Sequence, residues 1–213
     1  MKQKIDYSVY LVTDRGLARG RSTLEILQCA VRGGVTCVQL REKNCPVRDF
    51  LEQANSIKGY LNAHDIPLII NDRLDVALAV GADGVHLGQS DMPLPVARKI
   101  LKNSMIIGIS AESLQDAIEA EKGGADYIGV SPIYATPTKT DTAPPLGLDG
   151  LGEIRNAVRT PLVGIGGLTI DNAAEVIKHG ADGVAVVSAI VSADDPELAT
   201  KKLLTTINQA RIS

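Results

Sequence analysis

Gly81-Ala82-Asp83-Gly84-Val85, Gly124-Ala125-Asp126-Tyr127-Ile128 and Gly180-Ala181-Asp182-Gly183-Val184 repeat one short signal along the chain. In each copy a helical pattern stops at a glycine and an apolar, β-branched run begins at once. The glycine suits the left-handed residue that closes a helix, and the residues after the aspartate enter a strand. A looser copy runs from Gly33 to Val38. The glycines at 34, 81, 124 and 180 are spaced by 47, 43 and 56 residues. That is about the length of two βα units in a barrel whose eight units occupy ~250 residues.

Working outward from these signals, strands are expected near 8–12, 36–40, 67–70, 84–87, 105–109, 127–130, 162–165 and 184–187. Helical patterns lie between them, and a last one runs from about Pro196 to Ala210. The helix near Ser22 opens with Ser22-Thr23 and carries Leu24, Leu27, Cys29, Ala30 and Val31 as its apolar stripe. Short apolar strands separated by helices require a parallel sheet covered on its faces. Eight such alternations favour closure, so the expected fold is α/β, a single (β/α)8 TIM barrel spanning 1–213, with no linker or low-complexity segment.

Composition narrows the function. Hydrophobic residues make up 45% of the 213, enough for a core, yet the longest apolar runs have strand length, far short of a membrane span. Three cysteines, Cys29, Cys37 and Cys45, have no paired metal-ligand spacing and suit a reducing compartment. The Met-Lys-Gln-Lys start is interrupted by Asp6 and Tyr7 and does not form a signal peptide, so a cytoplasmic location is expected. With 22 basic and 25 acidic residues, no Trp and one Phe, the chain offers neither a basic run nor a stacking surface for nucleic acid. No nucleic acid and no membrane are expected as partners. The sequence carries no signal for an oligomeric state.

Barrel chemistry sits at the C-terminal ends of the strands. There the sequence places Arg41-Glu42-Lys43 after strand 2, Asn71-Asp72-Arg73 after strand 3 and Gln89-Ser90-Asp91 beyond strand 4. Ser110 ends strand 5, Gly166-Gly167 follow strand 7 and Ser188 follows strand 8. The glycine pair, before a helix expected to begin near Thr169 to Asn172, lets a phosphate approach backbone N–H groups. A tight turn needing glycine conformations is the alternative. Asp72 and Asp91 suit Mg2+, which is held by one or two carboxylates together with substrate phosphates. Equally ordinary roles are an Asp72–Arg73 pair and an Asp91 cap on the helix that starts at Met92-Pro93. Arg41, Lys43 and Lys139 are candidate clamps on a diphosphate, although most triplets such as Arg41-Glu42-Lys43 form solvated ion pairs. Lys139 lies in a stretch from Pro132 to Leu148 that is 17 residues long and holds four of the ten prolines. Loops of that length in compact domains are usually functional or disordered, and the prolines favour a lid. His86, within strand 4, is expected to be a hydrogen-bonded barrel histidine. Asp14-Arg15, after strand 1, either enters the site or makes a simple turn.

Gln39-Leu40-Arg41-Glu42-Lys43, Asn71-Asp72-Arg73, the run from Gly84 to Asp91, Thr136-Pro137-Thr138-Lys139 with the run from Pro144 to Leu148, and Gly164-Ile165-Gly166-Gly167 together resemble the thiamine phosphate synthase family. The resemblance covers most of the chain in the family's order. Departures are Ser131, where a glycine is usual, and Ala111, where a threonine is more familiar.

The resemblance implies two phosphorylated small-molecule substrates and one Mg2+ per subunit. Gln39, Leu40, Arg41, Glu42, Lys43, Asn71, Ser110 and Lys139 would bind the pyrimidine diphosphate. Thr136, Pro137, Thr138, Gly166, Val187 and Ser188 would bind the thiazole phosphate, and Asp72 and Asp91 the metal. Lys139, Arg41, Lys43 and Ser110 would form the catalytic group. The family's reaction expels pyrophosphate and leaves a pyrimidine methylene cation that the thiazole nitrogen captures. Two rivals share the fold: a thiazole tautomerase-like relative, and a non-catalytic barrel that senses a phosphorylated metabolite. A phosphosugar isomerase or aldolase would want a base or a Schiff-base lysine at a strand end, and none stands out.

Overall fold

The three repeated aspartates show how the strands are tied together. In the computed structural model, which describes residues 5–43, 45–136 and 144–212, each aspartate grips the start of the preceding strand. Asp83 accepts from the Leu68 N–H at 2.9 Å, Asp126 from Ile107 at 2.8 Å and Asp182 from Leu162 at 2.8 Å. Each is also ion-paired to a helix residue, Lys58, Arg98 and Arg155 respectively. The repeated triplet therefore closes a helix with its glycine and caps the neighbouring strand with its aspartate.

The strands are β1 (Val9–Val12), β2 (Cys37–Leu40), β3 (Leu68–Asn71), β4 (Gly84–Leu87), β5 (Ile106–Ala111), β6 (Tyr127–Val130), β7 (Leu162–Ile165) and β8 (Gly183–Val186). All neighbours pair in parallel, and β8 pairs with β1, so the sheet closes in sequence order into the expected (β/α)8 barrel. The intervening helices are α1 (Thr23–Gly33), α2 (Val47–Asn62), α3 (Leu74–Val80), α4 (Leu94–Leu101), α5 (Leu114–Lys122), α6 (Gly147–Ala157) and α7 (Ala173–Lys178). A four-residue α8 (Ser188–Val191) follows β8 directly, and α9 (Pro196–Ala210) covers the seam.

Ser22 and Glu25 form a reciprocal capping box at the start of α1. Its buried face is Ile26, Leu27, Ala30 and Gly33, whereas Leu24, Cys29 and Val31 are only half-buried. A helix that starts at Thr23 turns 100° per residue, so positions 26, 27, 30 and 33 share one side, and the expected stripe is rotated accordingly.

Strand alternation sorts the core into two compartments. Val9, Leu11, Val38, Leu40, Ile70 and Val85 point outward into the layer beneath the helices. Tyr10, Val12, Cys37, Ile69, Ile106, Tyr127, Val163 and Ala185 point inward and fill the barrel. No helix among the described residues is long and apolar enough to cross a membrane.

Candidate active site

The inward positions turn polar toward the C-terminal ends of the strands, and there a cavity of about 540 Å3 opens. Gln39, Arg41, Lys43, Asn71 and Ser110 border it, as do Asp72 and Asp91. Thr136, Gly166, Val187 and Ser188 form its other side. Two of the expected residues do not line it with their side chains. Leu40 is fully buried beneath the helices, because the strand period that turns Gln39 inward turns Leu40 outward. Glu42 pairs instead with Arg15 at 3.3 Å, and Arg15 also reaches Gln53 on α2. Pro137, Thr138 and Lys139 lie outside the described residues.

Arg41 is anchored rather than solvated. Its guanidinium donates to Asp14 at 2.8 Å, and its backbone N–H donates to the Thr13 hydroxyl at 3.0 Å. Asp14 also accepts from the Gly16 N–H at 2.9 Å, as N-cap of a 3-10 turn over Arg15–Leu17. The turn role considered for Asp14 is thus present, and Asp14 does not itself border the cavity but reaches it through Arg41.

Asp72 takes a left-handed backbone, φ 59°, and its N–H donates to the His86 carbonyl at 2.8 Å. Arg73 turns away and pairs with Asp75. Asp91 accepts from the Gly88 N–H at 2.6 Å, and α4 starts only at Leu94 with Pro93 at its N-cap position and no side-chain cap. The two carboxylates meet. Burial, then the hydrogen bond and the negative charge of Asp91, push the Asp72 carboxyl up to about 6, while Lys43 and Arg41 pull it back. Among the described residues no group of three or more His, Cys, Asp or Glu side chains gathers around a metal position. Two pressed carboxylates fit a hard divalent cation of the Mg2+ type, whose remaining ligands are waters and substrate phosphates.

Gly166 and Gly167 both have positive φ, 99° and 65°. A Cβ on Gly166 would lie 2.8 Å from Pro132 Cβ, and one on Gly167 would lie 2.8 Å from the Ala135 carbonyl oxygen. The turn reading of this pair is therefore correct as far as it goes; the pair also borders the cavity. The helix after it starts at Ala173 with Asn172 as N-cap, at the far end of the expected range, and the Asn172 side chain accepts from Thr169 N–H and donates to the Gly167 carbonyl. The helix N-terminus nearest the cavity is instead that of α8, which begins at Ser188.

The cavity floor contains residues that no motif announced. Tyr10 and Tyr127, 117 residues apart, have their hydroxyls 2.8 Å apart. Tyr10 meets Gln39 at 2.9 Å, and Tyr127 meets His86 Nδ1 at 2.8 Å. His86 Nε2 lies 2.9 Å from Ser110 Oγ. His86 is the hydrogen-bonded barrel histidine expected. The inward strand period was the one signal for the tyrosines, and their pairing arises only on closure.

A closed parallel eight-stranded barrel, with cations, paired carboxylates and a glycine turn around a cavity at the C-terminal rim, is the architecture of a (β/α)8-barrel enzyme. The family described as thiamine monophosphate synthase matches residues 9–190. A thiamine-phosphate synthase of Albidiferax ferrireducens is 56% identical over 195 residues, covering 92% of this chain and 89% of its own. One of Chloroflexus aurantiacus is 51% identical over 199 residues, covering 93% and 92%. The solved thiamine phosphate pyrophosphorylase from Pyrococcus furiosus superposes with a TM-score of 0.90 at 42% identity, over 96% of this chain and 97% of its own. The chain belongs to the thiamine monophosphate synthase family, and with it to the transferases of thiamine biosynthesis.

Proposed function

We propose that the chain is a thiamine phosphate synthase that joins 4-amino-2-methyl-5-(diphosphooxymethyl)pyrimidine to 4-methyl-5-(2-phosphooxyethyl)thiazole with release of pyrophosphate. The supporting observation is the contact between Asp72 and Asp91 within the influence of Lys43 and Arg41, all bordering one cavity. Cations and a carboxylate pair together suit a diphosphate that arrives with a divalent metal.

In this reading Arg41 and Lys43 bind the diphosphate, and Lys139 joins them as the family resemblance implies. Arg41 is preoriented by Asp14, so little freedom is lost when its fork engages a phosphate. Gln39, Asn71 and Ser110 hold the pyrimidine. Asp72 and Asp91 hold Mg2+, which when bound supplies positive charge against the departing pyrophosphate. The thiazole phosphate lies against Thr136, Gly166, Val187 and Ser188, where the first N–H groups of α8 have no partner within their own helix. The C–O bond to pyrophosphate breaks and leaves a cationic methylene on the pyrimidine, and the thiazole nitrogen supplies the electron pair for the new C–N bond. No strong base is needed, so clamps and not a proton-abstracting triad are what the cavity has to provide. The protein is taken to act in the cytoplasm on small phosphorylated molecules.

Pyrophosphate release from purified protein with both substrates, with Mg2+ and with EDTA, tests this reading. Metal-dependent release that also requires thiazole phosphate, with thiamine phosphate as product, is expected. A folded protein that binds thiazole phosphate without turnover would favour the sensor, and one that isomerises it would favour the tautomerase.

A further inference from the structure

Gln39, Tyr10, Tyr127, His86 and Ser110 form one unbroken hydrogen-bonded string through the barrel, with links of 2.9, 2.8, 2.8 and 2.9 Å. Its members come from β2, β1, β6, β4 and β5, so no local segment accounts for it. The backbone is cut back to admit it. A Cβ on Gly108 would lie 2.0 Å from the Tyr127 ring, and one on Gly129 would lie 3.1 Å from the His86 ring.

The string has a direction. A hydroxyl carries one proton, and an amide NH2 only donates. Gln39 Nε2 donates to the Tyr10 oxygen, so the Tyr10 proton goes to Tyr127. The reverse arrangement would strand a donor in a fully buried place, the costly outcome for any polar group. Tyr127, having accepted, sends its proton to His86 Nδ1. An acceptor at Nδ1 leaves the hydrogen of a neutral imidazole on Nε2. That N–H donates to Ser110 Oγ, and the Ser110 proton is left for the cavity that Ser110 borders. Burial raises both phenols well above their ordinary range, so neither leaves the string by ionising. Gln89 Nε2 donates to the Ser110 carbonyl and steadies the same residue from the rim.

We propose that Tyr10, Tyr127 and His86 are positioning residues that fix Ser110 as a hydrogen-bond donor, so that the site selects a heteroaromatic ring presenting an acceptor nitrogen, not an amino group, to that hydroxyl. The ligand half of this inference rests on the pyrimidine reading above; the direction of the string does not. A ring that turned its amino group toward Ser110 would meet the second lone pair of the hydroxyl and leave the Ser110 proton with no acceptor on the ring, the poorer of the two pairings.

The direction is read from histidine 15N–1H spectra of the ligand-free protein at neutral pH, with the His86 signal assigned by its loss in His86→Gln. The expected result is a single neutral Nε2–H tautomer for His86, and a mixture with the Nδ1–H form in Tyr127→Phe. A dominant Nδ1–H tautomer, or a doubly protonated ring, in the unmodified protein overturns the proposal. In steady-state kinetics Tyr127→Phe is expected to raise KM for the pyrimidine diphosphate about tenfold, the scale of one misdirected hydrogen bond. KM for the thiazole phosphate should stay within about twofold. Equal changes in both constants, or none in either, would show a packing role only. Tyr10→Phe cuts the string farther from Ser110 and is expected to give a smaller shift of the same kind, which keeps the test available if Tyr127→Phe does not fold. If the tautomer is as expected but the unmodified protein turns over no substrate, the synthase reading fails and the donor assignment of Ser110 stands.

Discussion

The carboxyl of Asp72 lies against that of Asp91, and burial first, then this neighbour, raises it to about 6. An unfolded aspartate ionises near ~3.9. The folded state therefore binds a proton that the unfolded chain releases, so this group's stabilising contribution is full below the ordinary range. It is lost as pH rises through about 6.

A divalent cation competes for the same oxygens as that proton. Mg2+ affinity is expected to be highest above pH 7 and to fall about tenfold per pH unit below the Asp72 value, as one proton is displaced per metal bound. Calorimetric titration of Mg2+ at three pH values across this range measures it. An affinity that does not change with pH would separate the carboxylate pair from the metal.

Asp72→Asn should move stability and activity in opposite directions. Asparagine tolerates the left-handed backbone at this position and removes the like-charge contact with Asp91. Above pH 7 and without metal, the variant is expected to melt higher than the parent. Its turnover is expected to fall by ~10^2 or more, the scale of losing electrostatic stabilisation of a transition state. Thermal melts with and without Mg2+, beside pyrophosphate release, test both halves, and a variant that loses stability as well would show that the pair is structural.

The barrel was legible because its signals are local. A helix-closing glycine and a β-branched run lie within five residues, and all eight strands fall within two residues of the expected limits. The charged rim was legible too, since position after a strand is enough to place Arg41, Asp72 or Ser188. What sequence spacing does not encode is which partner a side chain chooses across the barrel. Arg73 takes Asp75, Glu42 takes Arg15 and Arg41 takes Asp14. Ser110, expected at the end of a strand, lies inside β5 with its hydroxyl on His86, because the strand continues through Ala111. The Tyr10–Tyr127 contact spans 117 residues and has no sequence signature at all.

Lys139 and Lys43 can be ranked by the same assay. Both are assigned to the diphosphate, and a lysine that meets charge developing on the leaving group acts on kcat, not only on KM. Lys139→Ala is expected to lower turnover by ~10^2 or more, on the scale of one transition-state donor. If its kcat is near normal while that of Lys43→Ala falls, the departing charge is held by Lys43 and Arg41, and Lys139 has no part in the mechanism.

Two glycine-to-alanine changes test whether the barrel interior is filled as described. Gly59 is exposed within α2, and a methyl group added there would meet nothing within 4 Å. Alanine at this position should raise stability by about 0.5–1 kcal/mol through helix propensity alone. Gly108 is the opposite case. Its Cβ would sit 2.0 Å from Tyr127 Cζ and 2.4 Å from the hydroxyl oxygen. β5 is paired on both sides, and the phenol is held by Tyr10 and His86, so neither surface can retreat cheaply. Gly108→Ala is expected to cost about 1–3 kcal/mol or more, as overpacking does, and to displace Tyr127 from His86. Urea unfolding of the two variants should shift the midpoint in opposite directions. A Gly108→Ala protein as stable as the parent would mean that the Tyr127 ring is free to move, and that the string through the barrel does not hold Ser110 in place.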